Sequence, residues 1–413
     1  MRARPASVAR HRLTTAVVVR YRLLHWSVKV IIVFALSRIV TTALLLWYAG
    51  RQGPNAWTGA APNYLDFATL WDGTWYYIIS VAGYPSQLPL TAEGHVGESA
   101  WAFMPVYPAI VRVLTPPGVP FAAVAVVVSI ACALGAALVF YRLMVRFLPS
   151  PTALFAVVLW CVAPLSPVYQ VAYAESMYLF LLALALLLLV DRRYGWLVPV
   201  IGVMALTRPS GLAFALTMLL HVVYRWWRAR RGEEEFPTRE RIAAVLVGLF
   251  SGVMGFAWLV VAGLVTGRPA AYLETELAWR AAYVGYEELV PFTPWFRAAV
   301  WWAQWWGLPP WLLVVALVLI IALCGVLLFI GPVRRLGPDI RFWLASYSLY
   351  LLAVFFPQSS TFRLLMPLFP ALGALAQPRS RVYRVSLVAL FVLGQWAWIH
   401  VAWWVDGYDW TPP

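Results

Sequence analysis

The chain has 413 residues, of which 63% are hydrophobic and only 12% charged, with a mean hydropathy of +0.77; that composition excludes a water-soluble globular domain. Its net charge of +14 does not mark a nucleic-acid binder, because the cations flank apolar runs instead of gathering into one patch. Apolar runs of about twenty residues recur along the whole length, so one polytopic membrane body spanning residues 1–413 is expected.

The order of elements follows from those runs and from the rule that arginine and lysine stay on the cytoplasmic side. Residues 1–25 hold Arg2, Arg4, Arg10, Arg12, Arg20 and Arg22, with Lys29, the only lysine, just beyond. The apolar run 26–49 that follows is too long for a signal peptide and reads as a retained helix with a cytoplasmic N-terminus. Residues 50–118 are rich in Gly, Pro and aromatics, hold Asp66, Asp72, Glu93 and Glu98, and belong outside. Spans are then expected at 121–147, 152–168 and 175–190, followed by two short ones at 196–206 and 211–224 that meet near the outer surface around Arg208-Pro209-Ser210. The arginine-rich segment 225–241 is read as a cytoplasmic loop, 242–265 leads out, and 266–310 forms a second external segment. Spans at 311–330, 342–356, 362–375 and 385–404 complete about eleven crossings, with Asp406 and Asp409 outside. No internal repeat is visible, so the inverted halves of many transporters are missing.

The three cysteines, Cys132, Cys161 and Cys324, lie inside apolar runs without metal-ligand spacing and read as small buried apolar residues. The five histidines, His11, His25, His95, His221 and His400, are scattered, so no metal site is expected. No DxD pair and no glycine-rich phosphate loop are present, which argues against nucleotide substrates. The run from Arg230 to Glu235 reads as a solvated loop, and the aromatic cluster Phe292, Trp295, Phe296, Trp301, Trp302, Trp305 and Trp306 as an interfacial anchor or as a wall for a lipid chain or sugar.

In the first external segment, Trp71, Trp75, Ile78 and Ala82 fall at helical spacing and predict an apolar stripe on a helix lying along the membrane, with Asp72 and Tyr76 on the adjacent face. An acid at that interface suits a general base that takes a proton from an acceptor hydroxyl, or simply caps its helix. Arg208 and Arg363 stand at external ends of apolar segments, where they would bind an anion or snorkel to the interface. Glu175 opens a span beside the same surface, where it would orient a hydroxyl, pair with Arg208 or complement a helix dipole. Arg38, deep in the first run, is expected to pair with a buried acid or a carbonyl.

Trp71-Asp72, Trp75-Tyr76, Gly83-Tyr84, Glu98, the run from Ala102 to Pro108, Pro164-Leu165-Ser166, Tyr173-Ala174-Glu175-Ser176 and Thr207-Arg208-Pro209-Ser210-Gly211 resemble, in order, motifs of the PIG-V family of mannosyltransferases, within the GT-C superfamily. The likeness covers roughly the first half of the chain; the second half matches loosely, through the run from Ser359 to Arg363 with Pro367 and Pro370. Where family members often carry a histidine three residues after the aspartate, this chain has Trp75. The resemblance implies an all-helical GT-C membrane fold with two large external loops, and an enzyme that takes mannose from a polyprenyl-phosphate donor with Asp72 as base. The donor phosphate is then expected on Arg208 and Arg363, and the acceptor and sugar on Glu175, Trp75, Tyr76, Glu98, Tyr107 and Gln358. The partners implied are the lipid-linked donor, a glycolipid or lipoglycan acceptor and membrane lipids, with no nucleic acid and no cofactor, on the outer face of a bacterial plasma membrane. The rival readings are a transporter or lipid flippase, and a scaffold subunit without chemistry.

Overall fold

A computed structural model describes residues 23–288 and 290–405. The N-terminal arginines and Asp406 and Asp409 lie outside these residues. Among the described residues there is no strand beyond a single bridge between Leu90 and Val96. In chain order the helices are α1 (Trp26–Ala49), α2 (Tyr64–Phe67), α3 (Asp72–Ala82), α4 (Val106–Leu114), α5 (Phe121–Met144), α6 (Ser150–Val162) and α7 (Glu175–Val190). There follow α8 (Tyr194–Ala205), α9 (Gly211–Arg230), α10 (Thr238–Thr266), α11 (Ala271–Ala278), α12 (Ala281–Val284), α13 (Pro294–Trp305) and α14 (Pro310–Leu327). The chain closes with α15 (Gly331–Arg334), α16 (Gly337–Val354), α17 (Thr361–Leu364), α18 (Leu372–Leu375) and α19 (Arg381–Trp398), which runs on into a π-turn, Ile399–Trp403.

Five of these helices, α1, α5, α10, α14 and α19 with its π-turn, are long and apolar enough to cross a membrane, and α6, α7, α8 and the segment Met366–Leu375 are shorter apolar helices. Length and composition thus do not reproduce the expected eleven crossings. Three expected spans differ for identifiable reasons. The span at 152–168 stops at Val162, where Pro164 removes a donor and the chain re-forms as a 3-10 turn, Ser166–Gln170. The span at 362–375 is not one helix but α17, a 3-10 turn and α18, because Pro367 and Pro370 interrupt the hydrogen-bond ladder. Conversely α9 continues to Arg230 through part of the segment read as a loop, since arginine is a good helix former.

The core is built where α5 packs on α7, and where α9 packs between α10 and α16. The contact between α9 and α10 is backbone to backbone: a Cβ placed on Gly211 would sit 2.6 Å from the Gly255 nitrogen and 2.8 Å from the Ser251 carbonyl oxygen. Small residues permit such close approach of apolar helices. Helix α14, by contrast, is packed mainly on α13 and leaves most of its surface open, Cys324 included. Of the cysteines expected to be buried, only Cys161 is fully so, and Cys132 is half-buried.

The two ends of α7 orient the molecule. At its C-terminal end, Asp191 pairs with Arg146 at 2.8 Å, and neighbouring Arg192 pairs with Glu234 at 2.5 Å. Glu234 also pairs with Arg225, which donates to Glu240 at 2.7 Å and to the Tyr194 hydroxyl at 2.8 Å. The run from Arg230 to Glu235 is therefore more than a solvated loop: Glu234 anchors it to α9. His221 joins the same network, Nδ1 to Asp339 at 2.6 Å and Nε2 to the Tyr194 hydroxyl at 2.8 Å. Glu175 stands at the other end of α7, about 24 Å away for 16 residues at about 1.5 Å each. Arg38 takes neither end. It donates to the carbonyls of Cys161 and Ser166, both at 2.7 Å, so the carbonyl pairing anticipated for it is the one it makes.

Candidate active site

Four charged side chains from four distant segments meet at the N-terminal end of α7. Asp72 is the first residue of α3, Glu175 the first of α7, Arg208 lies in the break between α8 and α9, and Arg363 lies in α17. Arg363 donates to Asp72, and Arg208 donates to Glu175. The cross pairs are longer: Arg363 to Glu175 at 3.4 Å and Arg208 to Asp72 at 4.0 Å. Two carboxylates and two guanidiniums therefore alternate around one ring. The side chains are 5% exposed for Glu175, 8% for Arg363, 15% for Asp72 and 18% for Arg208, which makes Glu175 the deepest and Asp72 and Arg208 the open edge.

Each residue is held by the local backbone. Arg208 is placed by Pro209, which ends α8, and by the tight seat of Gly211 on α10. Glu175 sits in the first turn of α7, where the helix dipole favours a carboxylate. Asp72 was a candidate helix cap, but the cap position belongs to Trp71 and no side-chain cap bond forms there. Trp71 has φ 59° and ψ −121°, a backbone region that costs a non-glycine residue about 1 to 3 kcal/mol. Packing fixes it in place: its indole N–H donates to the Trp403 carbonyl at 3.3 Å and its ring lies 4.6 Å from that of Trp57. The π-turn that presents Trp403 also brings its own indole N–H to the Phe67 carbonyl at 3.0 Å. The strain is what turns the chain so that α3 begins with Asp72 aimed at Arg363.

Tyr173 closes the ring from below. Its hydroxyl accepts from the Asp72 backbone N–H at 3.1 Å, and its ring lies under the Arg363 guanidinium at 5.2 Å. Burial first, and the Asp72 charge second, push its hydroxyl well above the usual tyrosine range, so it stays a neutral phenol. Tyr76, one turn after Asp72, is fully buried against Tyr107 and Tyr173, and burial likewise raises its hydroxyl. For Arg363, burial opposes the charged form and Asp72 favours it; the net direction is upward, so the guanidinium stays charged.

The other expected contacts are placed as follows. Helix α3 buries Tyr76, Ile79 and Ser80, while Ile78 and Ala82 are exposed, so the expected stripe of Trp71, Trp75, Ile78 and Ala82 turns outward over its last two turns. The exposed row is the one that would face lipid. Trp75, three residues after Asp72, stacks on Phe103 at 5.6 Å and meets the edge of Trp279 at 5.5 Å. Tyr107 is fully buried, its hydroxyl engaged with the Ala125 carbonyl at 3.1 Å and the Ser129 hydroxyl at 3.0 Å, so it belongs to the wall behind Tyr76. Glu98 is exposed before the turn Ala100–Ala102, and no ion pair or hydrogen bond among the described residues joins it to the four. Gln358 precedes Arg363 by one turn of chain, with its carbonyl Oε1 buried and unpartnered and its Nε2 3.4 Å from the Ser360 hydroxyl. The aromatic cluster of α13 leans on this same segment: Trp302 donates to the Pro357 carbonyl at 3.0 Å, and a cavity of about 420 Å³ opens between Tyr283, Phe296, Trp301 and Val314.

Tyr173, Trp71 and Trp403 support the ring; from sequence, Trp71 was read only as part of an apolar stripe, and Tyr173 and Trp403 had no role of their own. For Tyr173 the signal was its position two residues before Glu175; for the Trp71 backbone and for Trp403 no sequence signal exists. Among the described residues no group of three or more His, Cys, Asp and Glu side chains is placed to hold a metal ion. Chemically, the ring offers a carboxylate at an open edge beside two fixed cations, one of them with an unpartnered buried Nε.

No family model matches the chain, and no curated protein matches it. Among solved structures the chain is similar to an Archaeoglobus fulgidus oligosaccharyltransferase, crystallised with a tethered acceptor peptide, at 13% identity and a TM-score of 0.41. The alignment covers 89% of this chain and 53% of that one, so this chain spans about half the length of that protein.

Proposed function

We propose that the protein is a membrane glycosyltransferase of GT-C type, akin to the PIG-V mannosyltransferases, that moves mannose from a polyprenyl phosphate to a hydroxyl of a glycolipid or lipoglycan. The reaction is placed at the outer face of a bacterial plasma membrane. The observation that carries the reading is the meeting of Asp72, Glu175, Arg208 and Arg363 at one point, on residues that belong to three of the motifs shared with that family and to the looser match in the second half. A surface helix, a helix start, a helix break and a short turn separated by as many as 291 residues have no packing reason to bring four charges together. Burying them is costly unless the arrangement is used or very well satisfied.

In the step itself, the acceptor oxygen attacks the anomeric carbon while its proton passes to the Asp72 carboxylate. The bond from that carbon to the phosphate oxygen breaks, and its electron pair leaves with the polyprenyl phosphate. Arg363 and Arg208 stabilise the charge that develops there, as fixed donors that need no reorganisation. One displacement with one base inverts the anomeric configuration. Trp75, three residues after Asp72 on α3, would line the sugar's side of the site together with the Phe103 and Trp279 rings it packs on. The test is Asp72→Asn in purified protein: transfer should fall by about 10² to 10⁴ with the fold intact. Near-normal turnover would remove Asp72 from the reaction.

A further inference from the structure

The ring that supports this reading also poses a difficulty for it. Asp72 and Glu175 supply two negative charges, Arg208 and Arg363 two positive ones, so the buried site is already neutral. A donor phosphodiester brings one more negative charge, and the departing phosphate a second, with no surplus cation to receive them. Desolvating that anion beside two paired carboxylates is unfavourable. The phosphate therefore enters by exchange. Equally, the Asp72 oxygen that accepts from Arg363 is already engaged and is not open to the proton of an acceptor hydroxyl.

Both difficulties have the same resolution, and the geometry says which carboxylate yields. Glu175 is 5% exposed, sits in the first turn of α7 and bridges both arginines, bonded to Arg208 and 3.4 Å from Arg363. Asp72 is at the open edge, bonded to Arg363 alone, with Arg208 at 4.0 Å. Arg363 also has its buried Nε without a partner, so a second donor of its fork is already available to a phosphate oxygen. Resting on the glycosyltransferase reading, we infer that the donor phosphate displaces Asp72 from Arg363 while Glu175 keeps the two arginines in place. Asp72 acts as a stand-in for the phosphate until the donor is seated, and its engaged oxygen is released toward the acceptor hydroxyl only once the phosphate has taken its place on Arg363. The reaction is thereby ordered: the donor is seated before the acceptor hydroxyl loses its proton, and the empty enzyme has no free base.

The exchange makes a prediction opposite to that for an ordinary ligand contact. Removing the Asp72 charge removes the competitor, so Asp72→Asn binds prenyl phosphate more tightly although its transfer is greatly reduced. Isothermal titration of the detergent-purified full chain with farnesyl phosphate, at fixed pH and ionic strength, reads this directly. Asp72→Asn and Asp72→Ser should each bind about tenfold tighter than wild type, or more; two variants keep the test decisive if one folds poorly. Equal or weaker affinity in the folded variants, or no binding to any of the proteins, overturns the exchange. The outcome is separable from that of the catalytic reading: tighter binding with retained turnover would keep the exchange and discard Asp72 as base, whereas unchanged binding with lost turnover would do the reverse.

Discussion

Two buried ionic clusters bracket α7, and they differ in how completely they are satisfied. At the C-terminal end, Arg225 bonds through Nε to Glu234 at 2.8 Å, through Nη1 to Tyr194 and Glu240, and through Nη2 to the Glu235 carbonyl at 3.0 Å. His221 beside it uses both ring nitrogens. At the N-terminal end, Glu175 Oε2 and Arg363 Nε are buried with no hydrogen-bond partner. A saturated network fixes helices and has nothing left to offer a ligand. An under-satisfied one keeps donors and acceptors in reserve, and that reserve is where a substrate binds. Buried charge alone would not have separated the two clusters.

Substitutions at the two ends should therefore fail in different ways. After Asp72→Asn itself, the largest effect is expected from Arg363→Ala, which removes a donor to the leaving phosphate and should lower kcat about 10² to 10³-fold in a transfer assay. A fall confined to thermal stability would reassign Arg363 to the scaffold. Arg225→Ala should do the opposite, costing about 3 kcal/mol of stability by leaving Glu240 without its cation and Glu234 with only Arg192 and Arg228. Its turnover per folded molecule should be nearly that of wild type, and a specific loss of transfer would blur the distinction. Gly211→Ala forces a Cβ to within 2.6 Å of the α10 backbone and should cost about 1 to 3 kcal/mol, seen as a lowered Tm. Because Arg208 is three residues away, transfer should decline with it. Smallest of all, Cys324→Ala on the open face of α14 should stay within about 0.5 kcal/mol and leave transfer unchanged.

How much of this was legible in the sequence varied by element. Helices α1 and α7 coincide with the apolar runs 26–49 and 175–190, since aromatic, basic or proline-rich flanks mark where lipid-compatible sequence ends. The breaks after Val162 and around Pro367 and Pro370 were harder, because hydropathy stays high through them while the backbone ladder does not. Glu175, Arg208 and Arg363 stood out as charges at the ends of apolar segments, which must find partners, and Asp72 stood out on the helix expected along the membrane in the first external segment. Which partner each takes was not readable: Arg208 was matched with Glu175 at a separation of 33 residues as one of three options, and the pairing of Asp72 with Arg363 across 291 residues was not anticipated. The backbone strain at Trp71 and its support by Trp403 are properties of tertiary packing alone.

The most direct test of the account is a product assay. Purified full-length protein is incubated with polyprenyl-phosphate mannose and candidate glycolipid acceptors, and the acceptor mass is followed for wild type and for Asp72→Asn. Wild type should add one hexose only when the lipid-linked donor is present, and Asp72→Asn should add at least about 10²-fold less while remaining folded. Equal hexose addition by the two proteins, or no addition by wild type with any acceptor, would contradict it.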